Sequence, residues 1–322
     1  MTSLRQEKGM VLLLVLMIVA LLASVLTEFA FSTLVDMRLT ETFRDSTKAY
    51  YIAKGGLQAG RMLLQEDKRQ DSLKSPPYDA LNEFWAQNMI TNYPVGGGFV
   101  SVRIEDLDGK LDVNSLVQTN DQPDAVVVDR FVQFFQIMGL DAPKDLVAAL
   151  IDWIDKNGAV YNIQADGAED NYYMGLAKPY HCKNAPLDSL AELAMVKGFT
   201  PKIVKLIEPF LTVHGSKKIN INTAPAEVIM SLSKDPVIDR SAAENIIEQR
   251  NGAPITKISD LQNVSGLSQI YIPLASLATQ GYLGVTSSDF LIHSRAEVND
   301  GARTVEAAVN RDKKQILYQK VY

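Results

Sequence analysis

The sequence predicts an α+β fold. A long N-terminal helix leads into a body of one helix packed on an antiparallel sheet, and an all-helical domain is inserted into that body. Three observations carry this expectation. Residues 10–27 form an uncharged run of 18 residues, and no Pro or Gly follows until Gly55. Alternating apolar segments occur at 99–104 and again at 290–298, 304–310 and 315–321, the period of half-buried strands. Between them lies sequence of helical texture, and strands on both sides of a helical block imply an insertion.

The apolar run has the length of a bilayer-crossing helix, since each helical residue rises about 1.5 Å. It continues into Glu28, Asp36, Arg38, Glu41 and Arg44, so residues 10–54 read as one helix, apolar first and amphipathic afterwards. Phe29, Ser32, Thr33, Asp36, Thr40 and Phe43 show the mixed faces expected beyond lipid. Gly55-Gly56 is expected to interrupt this helix, which resumes through 62–65. Arg5 and Lys8 ahead of the span place the N-terminus in the cytoplasm and the C-terminal body on the exported side.

An ordinary secretory signal is cut after its apolar core. Here the small residue, Gly9, stands before the core, so cleavage there leaves the hydrophobic segment in place with Met10 as first residue. This arrangement resembles the type IV prepilin leader, which a dedicated peptidase cuts after Gly before methylating the new terminus. A plain signal anchor is the alternative. Counting from Met10, the fifth residue is Leu14, where most pilins and pseudopilins carry a Glu thought to pair with a neighbouring subunit's terminal amine. A carboxylate in hydrocarbon is costly and marks function. A subunit lacking it need not dock beneath another, which fits a filament tip.

Net charge is −6, with 47% hydrophobic and 22% charged residues, an ordinary globular composition. The acidic balance argues against nucleic acid as the main partner. Cys182 is the only cysteine, so an intrachain disulfide is excluded. His181, His214 and His293 have no ligand-like spacing. Between the strands, 126–138, 144–155, 189–196 and 201–210 read as helices. Residues 81–92 show helical spacing around Phe84, Trp85 and Met89, and Asp108-Gly109 reads as the turn of a hairpin between 99–104 and Leu111-Asp112-Val113-Asn114. The last three apolar segments read as an antiparallel meander.

The segment from Asp152 to Tyr173 is rich in carboxylates. Asp155, Asn157, Asp166, Glu169 and Asp170 are candidate hard-oxygen ligands for calcium, which takes six to eight such atoms. The spacing is not that of an EF-hand, and a solvated acidic loop is the alternative. Catalysis by a carboxylate pair lacks a supporting His or nucleophile, and no catalytic residue is assigned. Asp152-Trp153-Ile154-Asp155 followed by Gly167-Ala168-Glu169-Asp170-Asn171-Tyr172-Tyr173 resembles the signature of the K-type minor pseudopilin of type II secretion systems. Pro179-Tyr180, Asn184 and Glu192-Leu193 with Gly198-Phe199 extend the likeness, as do the leader, Leu14 and the inserted helical block. The resemblance implies a pseudopilin core carrying a bulky helical domain that binds calcium. Where this chain has Asn157 the family usually has Asp, which implies one negative charge fewer and weaker binding.

Residues 217–281 resemble a helix-hairpin-helix unit of competence DNA receptors. Thr223 is the expected cap of a helix opening with Ala224 and Pro225; residues 241–250 read as the next helix, and 258–267 as another with a hairpin glycine. Such units bind phosphate through a Gly-rich hairpin and nearby cations. This stretch has six basic residues against six acids, and its first hairpin, 234–239, has no glycine. The expectation is therefore a structural or protein-interaction fold and no nucleic acid.

The resulting division is a leader at 1–9, a membrane-spanning half at 10–31, a pseudopilin core from 32–120 and 282–322, and an inserted helical domain at 121–281. The acidic loop (about 152–173) and the helix-hairpin-helix-like segment (217–281) lie within that insertion. The resemblance implies a non-enzymatic tip subunit of a periplasmic pseudopilus, single-pass in a Gram-negative inner membrane, initiating and capping the filament for export of folded proteins. Its implied partners are other minor pseudopilins in a heteromeric tip complex, the prepilin peptidase, the inner membrane, and the secretin and secreted cargo. Calcium is the implied cofactor. The competing readings are a membrane-anchored DNA-binding protein of a competence or type IV pilus machine, and an anchored calcium-dependent hydrolase.

Overall fold

In the computed structural model, which describes residues 3–87, 90–161 and 165–322 with side chains from Gly9 onward, one helix α1 spans Ser3–Asp71. Its 69 residues correspond to a rod of about 100 Å. Arg5, Glu7 and Lys8 as side chains, the first two residues of the leader, and Met89 of the helix expected at 81–92 lie outside the described residues. Every large apolar side chain from Met10 to Phe43 is exposed. Beyond that, Ala49, Ala53, Leu57 and Leu64 turn inward at helical spacing and are buried.

Gly55-Gly56 does not interrupt the helix, contrary to the sequence expectation. The reason is tertiary. A Cβ on Gly56 would lie 2.2 Å from Ser294 Oγ, and one on Gly60 would lie 2.9 Å from Ile292 Cγ2. Glycine costs a helix about 1 kcal/mol relative to Ala, and here it permits the backbone to lie directly on the sheet.

After a turn-rich stretch, β1 (Ile90–Val95) and β2 (Gly98–Asp106) form an antiparallel pair. The helix expected at 81–92 is absent from 81–87, which are turns, and β1 begins at Ile90. The expected hairpin is absent too. The strand β3 (Leu111–Asp112) pairs in parallel with β4 (Leu211–Thr212), and not with β2. The helical block contains α2 (Ala125–Ile137), α3 (Pro143–Ile154), α4 (Asp170–Tyr173), α5 (Pro201–Ile207), α6 (Ala226–Met230), α7 (Arg240–Gly252) and α8 (Tyr271–Thr279). The stretches Leu190–Met195 and Ile258–Asn263 are 3-10 turns where full helices are expected. Two further short strands, β5 (Ile219–Asn220) and β6 (Leu283–Gly284), close this block in parallel.

The meander holds: β7 (Asp289–Val298), β8 (Gly301–Asn310) and β9 (Gln315–Val321) are antiparallel. They join the first hairpin through a β2–β7 pairing to give a five-stranded sheet of order β1-β2-β7-β8-β9. Val100, Val102 and Ile104 with Phe290, Ile292, Val305, Ala307 and Val309 form the face packed on α1. A second apolar core, centred on Phe131, Phe134, Phe135, Trp153 and Tyr173, fills the helical block and includes Leu111, Val113 and Leu116.

The seam between the two cores is polar. Asp106 Oδ2 accepts from Thr223 Oγ1 at 2.6 Å and from Asn220 Nδ2 at 3.2 Å, so Thr223 binds the end of β2 and does not cap a helix. The residue at the start of α6 is Pro225. Asp108 accepts from Ser216 Oγ at 2.8 Å and from Ser288 N at 2.7 Å. Each of these carboxylates finds the donors that burial demands.

Candidate functional site

Helix α3 is apolar on most of its surface and stops at Asp155, because Asn157 offers the chain a local turn: Asn157 Oδ1 accepts from Ala159 N at 2.9 Å. Asn157 Nδ2 in turn donates to Asp155 Oδ2 at 2.9 Å. The other Asp155 oxygen, Oδ1, is buried and has no hydrogen-bond partner among the described residues. Glu169 precedes α4 and is 4% exposed. Its side chain makes no capping bond to the helix it precedes, and both carboxylate oxygens are buried without a partner among the described residues. Burial, with the charges of Asp152 and Asp121 added, pushes the Asp155 carboxyl up to about 7. Burial likewise raises Glu169 to about 7, reinforced by Asp152, Asp155 and Asp170.

The other candidate ligands are differently engaged. Asp166 is exposed and accepts from Lys197 Nζ at 2.7 Å. Asp170 accepts from Cys182 N at 2.7 Å and faces His181 Nδ1 at 3.0 Å, and the His181 hydrogen bond holds its carboxyl below the usual range. The structure thus brings Asp155 and Glu169 together as an electron-rich, donor-poor pair, with Asn157 beside them. Asp170 acts on Glu169 by its charge but is committed to His181 and Cys182, whereas Asp166 is not brought to the pair and bonds Asp145 and Lys197. Three buried carboxylate oxygens without donors form an arrangement that a hard cation completes. Asn184 Oδ1 is also buried without a partner among the described residues. Cys182 is buried, its thiol pushed up to about 12 by desolvation, and Sγ donates to Asp152 O at 3.3 Å. It is a packing thiol and not a nucleophile.

Sequence reasoning missed a second acid cluster. Asp67 and Asp71 lie one turn apart on α1, and their carboxylate oxygens and one from Asp79 are within 4.8 Å of one another. The spacing of four residues between two acids on one helix was the available signal. Arg311 fills the cluster: Nη1 donates to Asp67 Oδ2 at 2.7 Å and to Asp79 Oδ1 at 2.6 Å, and Nη2 to Asp79 Oδ2 at 2.8 Å. Lys74 adds contacts to Asp71 and Glu83.

In the helix-hairpin-helix-like segment three of the six cations are closely bound within the chain. Lys234 binds Asp129 at 2.6 Å, Arg240 binds Glu227 at 2.8 Å, and Arg250 donates to Ile221 O and Ala224 O, both at 2.7 Å. The hairpin closes through a bridge between Lys234 and Val237. Asn220 and Asn222 build this segment into the seam and the core and are not exposed to a ligand.

On the assembly side, Gly9, Met10 and Leu14 lie on the exposed, apolar first part of α1. This helix is long and apolar enough to cross a membrane, with a mean hydropathy of 3.0 in its best window and none of that window buried.

Two models of one family, described as type II secretion system (T2SS) protein K, match residues 109–216 and 219–282. The type II secretion system protein K of Pseudomonas aeruginosa is 29% identical, over 76% of this chain and 73% of that protein. The protein of the same name from Aeromonas hydrophila is 26% identical, over 97% of this chain and 96% of its own length. Among solved structures, the fold is shared with a chain of the GspK-GspI-GspJ complex from the enterotoxigenic Escherichia coli type 2 secretion system, with a TM-score of 0.66 and 18% identity over 88% of this chain and 99% of that one. The long exposed helix, the sheet beneath its second half, the inserted helical block and these matches agree, and the chain belongs to the protein K family of type II secretion systems, the minor pseudopilins.

Proposed function

We propose that this chain works by packing: it assembles with other minor pseudopilins through α1 and sits at the tip of a periplasmic pseudopilus, where it initiates and caps the filament used to export folded proteins. The observation that carries this is the first part of α1. A row of apolar side chains from Met10 to Phe43 has no cover within the chain, so lipid and neighbouring helices are its natural surroundings. Leu14 supports the tip position, because an acid there would link the helix to a subunit above it. The likeness to a chain of the GspK-GspI-GspJ complex supports small pseudopilins as the partners. Cleavage after Gly9 with methylation of Met10, insertion in the inner membrane with the body in the periplasm, and contact with secretin and cargo belong to the same reading, which assigns no enzymatic activity.

The test is co-purification of the full chain, in detergent, with the minor pseudopilins of the same cell, followed by crosslinking from cysteines placed along 14–43. Crosslinks to those subunits support the proposal. A chain that stays monomeric beside them contradicts it.

Calcium belongs to the proposal as well. The buried, unpartnered oxygens of Asp155 and Glu169 fit a divalent cation, with Asn157 and Asp170 as nearby oxygen donors. A cation there would tie the end of α3 to the start of α4, a role that disulfides play in many exported proteins. A calcium titration of metal-stripped protein, with Glu169→Gln as the control, decides it.

A further inference from the structure

Asp152 is wholly buried, and both of its carboxylate oxygens are used by backbone amides. Oδ1 accepts from Tyr161 N and Oδ2 from Ala168 N, each at 2.6 Å. One amide stands midway along the excursion between α3 and α4 and the other two residues before α4, so one side chain fixes both points. Ala168 is followed directly by Glu169, and Asp155 lies one helical turn beyond Asp152. The same side chain therefore sets the spacing of the two carboxylates that lack partners.

Three neighbours show that the position is built for this. A Cβ on Gly167 would come within 2.0 Å of Asp152 Oδ2 and 2.8 Å of Val160 Cγ1, so only glycine admits the bond to Ala168. Cys182 Sγ donates to the Asp152 carbonyl, anchoring its backbone. Trp153 packs edge-on against Tyr173 at 5.1 Å, fixing the next residue. The nearest cation, Lys197, binds Asp166 Oδ2 at 2.7 Å and not Asp152.

We propose that Asp152 is the positioning residue of the cation site: its carboxylate straps Tyr161 and Ala168 so that Asp155 and Glu169 already face each other before a cation arrives. This rests on the calcium reading above and adds to it. Both Asp152 oxygens are engaged by backbone amides, which suits Asp152 to positioning and not to ligation. It acts through the backbone, as partners in the outer shell of metal sites do. The two carboxylates are then held in place before the cation arrives.

The test uses the full chain in detergent and reads two quantities: hydrogen exchange of the Tyr161 and Ala168 amides in EDTA, and calcium affinity by titration. In the wild type both amides are protected in EDTA. Glu169→Gln loses calcium binding and keeps that protection. Asp152→Asn, which replaces one acceptor by a donor, loses protection at one of the two amides and binds calcium about 10- to 100-fold more weakly. Gly167→Ala, which crowds the strap from the opposite side, does the same at Ala168 and guards against a folding defect peculiar to Asp152→Asn. A purely structural role would lower the melting temperature while leaving calcium affinity unchanged, and that result overturns the proposal. So does a wild type whose two amides exchange freely until calcium is added. A wild type with protected amides that takes no calcium overturns the cation reading itself, and is distinguishable from both.

Discussion

The acid cluster at Asp67, Asp71 and Asp79 and the acid pair at Asp155 and Glu169 are alike in composition and opposite in surroundings. In the first, the fold supplies its own cation: Arg311 donates to Asp67 and Asp79 and lies 3.7 Å from Asp71. In the second, three buried oxygens face no donor among the described residues. Burying carboxylates costs several kcal/mol each unless a counter-charge or donors offset it. The first cluster is complete as folded and acts as a clamp joining the end of α1 to the β8–β9 turn. The second becomes electrically reasonable only by holding protons or by taking a cation from solution. An acid cluster alone is therefore no sign of a metal site; the unpartnered oxygen is.

The comparison can be broken most forcefully at its resident cation. Arg311→Ala leaves three buried carboxylates facing one another, and should destabilise the chain by about 3–5 kcal/mol, measured by chemical denaturation. A loss below about 1 kcal/mol would mean the clamp is ornamental. Next in size is calcium itself. At a hundredfold excess over its dissociation constant it should add about 2.7 kcal/mol, seen as a fall in melting temperature on chelation. Gly56→Leu drives a side chain into Ser294 and Val100 and should cost about 1–3 kcal/mol, with the α1–sheet contact as the element that loosens first in hydrogen exchange.

A smaller effect is a pH dependence that both clusters share, because Asp155 and Glu169 are also pushed up to about 7. Burial, together with the charges of Glu83, Asp71 and Asp79, pushes the Asp67 carboxyl up to about 7. The folded chain then keeps a proton that the unfolded chain has released, so this contribution is full below the ordinary carboxylate range and is lost as pH rises through about 7. Asp67→Asn should flatten that decline in a series of melting temperatures from pH 5 to pH 8; an unchanged slope would place the titration elsewhere. The smallest effect is at Asn157. Asn157→Asp adds a negative charge beside Asp155 and should tighten calcium binding several-fold by titration.

Local patterns were legible in the sequence and long-range pairings were not. The meander could be read because alternation needs only neighbours, and the apolar span because length needs only counting. Gly55-Gly56 misled because the reason for Gly56 is Ser294, more than 230 positions away. Residues 90–95 hid as a strand because they form an exposed edge carrying Pro94, with almost no buried alternation. Leu111-Asp112 was paired with the wrong strand because its true partner, Leu211-Thr212, is a hundred residues on. At the site, acid density alone pointed to Asp155 and Glu169. It could not show that Lys197 holds Asp166, that Cys182 and His181 hold Asp170, or that Asp152 works through two distant amides.

The central claim is that the unpartnered pair, and not the Arg311 cluster, takes a divalent cation. Calorimetric titration of calcium into metal-stripped full chain tests it most directly, with Glu169→Gln and Asp67→Asn run alongside. The account predicts saturable binding that Glu169→Gln abolishes and Asp67→Asn leaves unchanged. Binding lost on Asp67→Asn but kept in Glu169→Gln, or no binding in the wild type, would contradict it.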